Sequence, residues 1–259
     1  MTRTGFCVGD NAFSFTELKG RTYPSITSKG AIESLMKWSM KGRLHARTFS
    51  FDENFKLYDH NIFIGCLLKS PGVVRALKED GLAVPEYRQL LVEKVPCGST
   101  EMTICSKIKA LTARENGMIK KCYDDVIQSV LVSDELRKFF LDEEHYPFSE
   151  VSAAQRAEFL FRLFAHVCIG GELCQSEENI DVYIEFTRKL YRDLLSVQKN
   201  PDTKELQIVS LVYKVELEDD TGVVFPSTVR HPNTFFYAIV DPFKRNVILL
   251  YHIFGCGDF

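Results

Sequence analysis

The residues of this chain best equipped for chemistry are its eight cysteines, Cys7, Cys66, Cys97, Cys105, Cys122, Cys168, Cys174 and Cys256, and its six histidines. A Cys/His hydrolase needs a thiolate beside an imidazole, with a third group orienting the base. His166 and Cys168 stand two apart in a helical pattern and so point in different directions. No Cys-x-x-Cys occurs, and the spacing from Cys168 to Cys174 fits neither a zinc ribbon nor a zinc finger. The thiols therefore read as small core residues of a reducing compartment. His252 lies in an apolar strand pattern, which suits a hydrogen-bonded core histidine. His145 follows Asp142-Glu-Glu144, an acidic run expected to be solvated, as are Glu216, Glu218, Asp219 and Asp220.

Phosphate chemistry fares no better. Gly65-Cys-Leu-Leu-Lys69-Ser70 ends like a phosphate loop but lacks the glycine before the lysine. Gly255-Cys-Gly257 is followed only by Asp258 and Phe259, too few residues for the helix of a dinucleotide fingerprint. Lys107, Lys109, Arg114, Lys120 and Lys121 form a mild basic stretch without the aromatic interleaving of a single-strand platform. The expectation is a protein with no catalytic site, no metal and no cofactor. The alternative is a thiol-dependent hydrolase or transferase whose Cys and His meet only in three dimensions.

Composition agrees with an ordinary globular chain: 259 residues, 45% apolar and 26% charged. Folding at this size buries about 70% of the extended surface, ample for a core without disulfides. A net charge of −3 provides no global field for nucleic acid or membranes. The longest apolar stretch, from Ala157 to Gly171, is broken by Glu158, Arg162 and His166 and falls short of the ~20 residues a membrane span needs. No secretory leader pattern opens the chain, so a soluble intracellular protein is expected. Twenty Phe against ten Tyr and one Trp point to a tightly packed interior.

The elements that would position these residues are unevenly legible. Residues 1–27 are weakly patterned. Ser28 suits the cap of a helix carrying Ile32, Leu35, Met36 and Met40 and ending near Gly42. Residues 43–52 alternate as a strand, and Ile62–Leu68 reads as another. Pro71 suits the first turn of a helix through Lys78. Residues 81–130 give little pattern. Ser133 then precedes Asp134 and Glu135 as a helix cap, and Ser152-Ala-Ala-Gln155 matches a capping box. The helix it opens buries Phe159, Leu160, Leu163, Phe164 and Val167, and stops at Gly170-Gly171. Its polar stripe is Glu158, Arg162 and His166. Asn179 caps a third helix through Leu195. Period-two patterning follows in residues 209–217, and two apolar runs, 235–240 and 247–253, predict an antiparallel hairpin buried on both faces. The predicted architecture is a single α+β domain over residues 1–259, with central helices packed on a C-terminal antiparallel β-sheet.

Several long stretches resemble the cilia- and flagella-associated protein 300 family. They are Lys37-Trp-Ser-Met-Lys-Gly-Arg-Leu-His-Ala-Arg-Thr-Phe-Ser-Phe-Asp52, Val132–Arg137, Glu158–Gln175 with its Gly170-Gly171 pair, Tyr191–Lys204, and Phe236–Arg245 through Leu250–Asp258. Residues 1–27 and 70–130 match poorly. The resemblance implies a non-enzymatic factor for cytoplasmic assembly or ciliary delivery of outer and inner axonemal dynein arms, found in cytoplasm and axoneme. Implied partners are axonemal dynein subunits, dynein-assembly co-chaperones and the intraflagellar transport machinery. A stable structural component of the axoneme is the other non-enzymatic reading. The family brings no functional residue with it, so partner contacts are sought in the matching segments. Trp38, Arg43 and Arg47 qualify because Trp and Arg are enriched at interface hot spots. Asp258 and Phe259 qualify because a terminal carboxylate beside an aromatic ring can be captured by a partner.

Overall fold

The computed structural model describes residues 13–258. In chain order the first half comprises β1 (Phe15–Glu17), α1 (Pro24–Thr27), α2 (Lys29–Lys37), β2 (Leu44–Phe51), α3 (His60–Lys69), α4 (Pro71–Glu79), β3 (Gln89–Val95), α5 (Thr103–Thr112), β4 (Lys121–Ile127) and β5 (Val130–Asp134). There follow α6 (Glu135–Leu141), α7 (Tyr146–Ser149), α8 (Ala153–Ala157), α9 (Phe159–Ile169) and α10 (Ile180–Leu194). The chain closes with β6 (Val197–Lys199), β7 (Leu206–Ile208), β8 (Leu211–Asp219), β9 (Gly222–Phe225), β10 (Phe235–Asp241) and β11 (Asn246–His252).

The fold is α+β, built on a seven-stranded antiparallel sheet in the order β1-β2-β11-β10-β8-β3, with β9 also paired to β8. The predicted β10–β11 hairpin is present, in register Phe235↔His252 through Asp241↔Asn246. Three strands from the first half of the chain, β1, β2 and β3, complete the sheet around its C-terminal centre. Side chains along a strand alternate between faces, and here both faces are covered. Phe235, Tyr237, Ile239, Ile248 and Leu250 join the core that contains α2, α5, α9 and α10. Phe236, Ala238, Val240, Val247 and Leu249 join a second core, filled from α3 and α4. That two-sided burial is why β10 and β11 read as unbroken apolar runs.

Four local expectations change. Ile62–Leu68 is helical, not extended: Phe63, Ile64, Leu67 and Leu68 are buried at helical spacing while Ile62 faces out. Ser133 belongs to β5, and the cap of α6 is Asp134, whose carboxylate accepts from the Arg137 N–H at 2.8 Å. The Ser152–Gln155 capping box forms, but it opens only the five-residue α8. Glu158 then leaves helical geometry, with ψ 140°, and serves as N-cap for α9. Finally, α2 stops at Lys37, with Ala31 and Leu35 inward and Ile32 and Met36 on its exposed side. Helix α9 does end at Gly170, with φ 69°, and Asn179 caps α10 by accepting from the Asp181 N–H at 2.9 Å.

Candidate functional site

Three of the segments singled out in the sequence converge at one junction. The turn after α2, the Gly170-Gly171 stop of α9 and the tail beyond β11 are stitched together by backbone bonds. Gly171 N–H donates to the Trp38 carbonyl at 2.8 Å, Glu172 N–H to Gly255 at 3.1 Å, and Asp258 N–H to Lys41 at 2.9 Å. Ser39, fully buried, accepts from the Gly257 N–H at 2.9 Å. Such close chain approach leaves no room for a side chain at residue 171, whose Cβ would collide with the Ser39 carbonyl. At Gly42 a Cβ would meet only the movable Asp258 carboxylate, and it is the φ of 73° that reserves the position for glycine.

The candidate partner residues take varied places around this junction. Trp38 is not a surface residue: it is 0% exposed, its ring packs 4.9 Å from Phe186 and 5.0 Å from Tyr183, and its indole N–H donates to Glu177 at 3.0 Å. The short α2 turns its end inward, so the only Trp of the chain serves the core. Arg43 straps down the tail, donating to the carbonyls of Ile253 and Cys256. Arg47 spends its guanidinium on Asp80 at 2.6 and 2.7 Å and on Glu17 at 2.7 Å. Burial alone would raise the Asp80 carboxyl, but the bonds from Arg47 and Tyr251 outweigh it and leave it below its ordinary value. Asp258 is exposed, and Phe259 lies outside the described residues.

A cleft of about 300 Å³ opens beside the junction, bordered by Arg43, His45, Asp80, Tyr251, Cys256 and Asp258. It places a thiol and an imidazole on one wall system. The thiol is not activated: Cys256 Sγ donates to Glu172 at 3.4 Å, and that bond pushes its pKa up. His45 lies over Tyr251, with Nε2 3.1 Å from the Gly42 carbonyl.

A larger cleft, about 570 Å³, lies between α9, β8 and residues 226–234, and His166 sits in its floor. Asn233 uses its amide N–H groups on the carbonyls of His166 and Gly170. Its oxygen therefore faces His166 Nδ1 at 2.9 Å, which makes Nδ1 the donor and leaves Nε2 to accept from Tyr237 O–H at 2.9 Å. Burial pushes His166 down to about 3, so the imidazole is neutral, and both its nitrogens are engaged. Arg162 pairs with Glu93 of β3 rather than with Glu158, which accepts from Gly98 N–H and Ser99 O–H. His252 is likewise a core histidine, bonded through Nδ1 to the Asn233 carbonyl. His145 rests on Glu135 at 2.7 Å.

Cys97, Cys105, Cys168 and Cys174 are shielded from ionisation. Burial pushes Cys97 and Cys105 up to about 12 and Cys174 up to about 11. Lys69 of the Gly65–Ser70 stretch lies in the last turn of α3, where no phosphate cradle exists. Among the described residues no group of three or more His, Cys, Asp or Glu could hold a metal ion. No helix of the described residues is long and apolar enough to cross a membrane. Ser39, Glu172, Glu177 and Asn233 organise these sites without any local sequence signal, because each acts through a partner at least 63 residues away.

Fold and sites together define an α+β protein whose prominent polar groups are turned to holding distant segments together. A family profile described as cilia- and flagella-associated protein 300 matches residues 12–252. The chain belongs to that family, which places it among proteins associated with cilia and flagella. A relative of that name from Chlamydomonas reinhardtii is 42% identical over 142 residues, covering 54% of this chain and 55% of the relative, so the match spans about half its length. Another, from Paramecium tetraurelia, is 27% identical over 230 residues, covering 87% and 88%. No solved structure matches.

Proposed function

We propose that this chain is a non-enzymatic factor in the cytoplasmic assembly or ciliary delivery of outer and inner axonemal dynein arms. Its partners on this reading are axonemal dynein subunits, dynein-assembly co-chaperones and the intraflagellar transport machinery, and it has both a cytoplasmic and an axonemal pool. Membership of a ciliary family carries the proposal. The state of the thiols and imidazoles supports it: Cys256 is held protonated by Glu172, and His166 is neutral with both nitrogens engaged. A nucleophile–base pair needs a thiol free to ionise beside an imidazole with a nitrogen free to take its proton.

The test is deletion of the gene in a ciliated cell, with dynein heavy chains quantified in axonemal and cytoplasmic fractions. Loss of both arm types from intact doublets is the expected result. A retained cytoplasmic pool assigns the role to delivery, a depleted one to assembly, and normal dynein in both fractions overturns the proposal. Re-expression of a Cys256→Ser variant is expected to restore the arms fully. Failure of a folded Cys256→Ser protein to do so would favour thiol chemistry instead.

A further inference from the structure

We propose that the outer face and free edge of the β4–β5 hairpin take up an extended segment of a partner protein, aliphatic and bearing Lys or Arg, as a third strand. The hairpin is a two-stranded sheet of its own. Gln128 and Ser129 join its strands, and their φ values of 50° and 66° make the two-residue turn that fits the twist of the flanking strands. Gln128 donates to the Leu141 carbonyl at 3.2 Å, which fixes the hairpin tip beside the end of α6. Alternation turns Val130 and Val132 inward, where they are buried with Leu141 and Ile169. It turns the directly opposed pair Val126 and Leu131 outward, 67% and 61% exposed, and Tyr123 at the neighbouring bulge is 97% exposed. Large apolar side chains bared side by side mark a contact surface.

The two edges of the hairpin differ. Strand edges are ordinarily blunted by bulges, charges or proline. Strand β4 has such protection: a bulge between Lys121 and Asp125, the carboxylates of Asp124 and Asp125, and a Val126 N–H already donated to Asp125 at 2.7 Å. Strand β5, Val130-Leu-Val-Ser-Asp134, has no bulge, no proline and no charge before Asp134. Ile127 and Val130 flank the turn as the hydrogen-bonded pair, so the N–H and C=O of Leu131 point away from β4. They have no partner among the described residues, and an added strand supplies one to each. Charge then selects the occupant. Residues 121–144 carry seven carboxylates against three cations. The ion pairs of this region, Asp134 with Arg137 and Glu135 with His145, leave Asp124, Asp125, Asp142, Glu143 and Glu144 unmatched. That surplus repels a second copy of the same face, nucleic acid and anionic lipid, and favours a cationic strand.

The experiment follows the backbone amides of the isotopically labelled full chain during titration with an end-capped heptapeptide of alternating Lys and Val. Two controls are a Glu/Val heptapeptide, of opposite charge, and a Lys/Pro heptapeptide, of the same charge but unable to pair as a strand. Saturable, salt-sensitive shifts at Leu131, Val132 and Ser133 are expected with the Lys/Val peptide and with neither control. Leu131→Lys adds the edge protection that β5 lacks, on an exposed side chain, so it is expected to abolish the shifts at an unchanged melting temperature. Asp124→Asn is expected to weaken binding about two- to five-fold. An equal response to Lys/Pro reduces the surface to charge alone and overturns strand addition, and an equal response to Glu/Val overturns the cationic partner. Absence of saturable shifts, or their survival in a folded Leu131→Lys protein, overturns the site. A concentration-dependent dimer that Leu131→Lys dissolves assigns the face to self-association and overturns it as well.

Discussion

His166 and His252 enter the folded state without their protons. Burial pushes the first down to about 3 and the second to about 4. An unfolded imidazole titrates near 6.5, so below that pH the unfolded chain takes up protons that the folded chain refuses. Their contribution to stability is complete above pH 6.5 and is lost as pH falls toward 4 and then 3. At pH 5 the loss is about 2 kcal/mol for each histidine. Urea unfolding at pH 7 and pH 5 checks this, and His252→Gln, which keeps a donor for the Asn233 carbonyl, is expected to halve the difference. A stability independent of pH over that interval contradicts the assignment. Trp38 makes the second prediction at this scale. Truncation to alanine is expected to cost about 3–5 kcal/mol in thermal or urea unfolding, because the ring is a core residue. A stable Trp38→Ala protein that had lost only partner binding would reverse that conclusion.

Among the elements, the junction of the α2 turn, the α9 stop and the tail is the least tolerant. Gly171→Ala sets a methyl group against the backbone carbonyl of Ser39, which has no flexible end to yield. The cost is expected at the top of the roughly 1–3 kcal/mol range for overpacking, or above it. Gly30→Ala is the matched control. It meets nothing and sits inside α2, so it is expected to stabilise by about 0.5–1 kcal/mol. Equal melting temperatures for the two variants would show the junction to be loose.

The contrast between these glycines also explains what was legible in the sequence. Gly170 could be read as a helix stop, since that signal is local. The Ser39 carbonyl that crowds Gly171 lies more than a hundred positions away and leaves no trace near it. Strands β2, β8, β10 and β11 were legible through their alternation or their apolar runs. Helix α3 was not: Ile62-Phe-Ile-Gly-Cys-Leu-Leu68 is short and apolar throughout, and period cannot decide such a run unless its one exposed apolar residue, Ile62, is known beforehand. Strand β3 and helix α5 fell in the unpatterned stretch, β3 being a sheet edge with mixed exposure.

For the molecule as a whole, one sheet divides two apolar cores, and every central strand feeds both. Leu250 and Leu249 are adjacent in β11 and fully buried on opposite faces. Each change to alanine is expected to cost about 2–5 kcal/mol. Both are expected to move the same single transition, seen alike by far-ultraviolet and near-ultraviolet circular dichroism. Two separated transitions, one sensitive to each variant, would mean that the cores unfold independently.

The sheet order has a consequence for how the protein is made. Strand β2 pairs with β1 and β11, and β11 begins only at Asn246. At about 5–20 residues per second, a ribosome needs roughly 10–40 s after finishing β2 to deliver that partner. Through that interval Phe49 and Phe51, later sealed in a core, have only the three-residue β1 to pair with. The hazard is greatest while the chain is still growing, and slower translation or scarce chaperone lowers the yield of a product whose finished fold is unchanged.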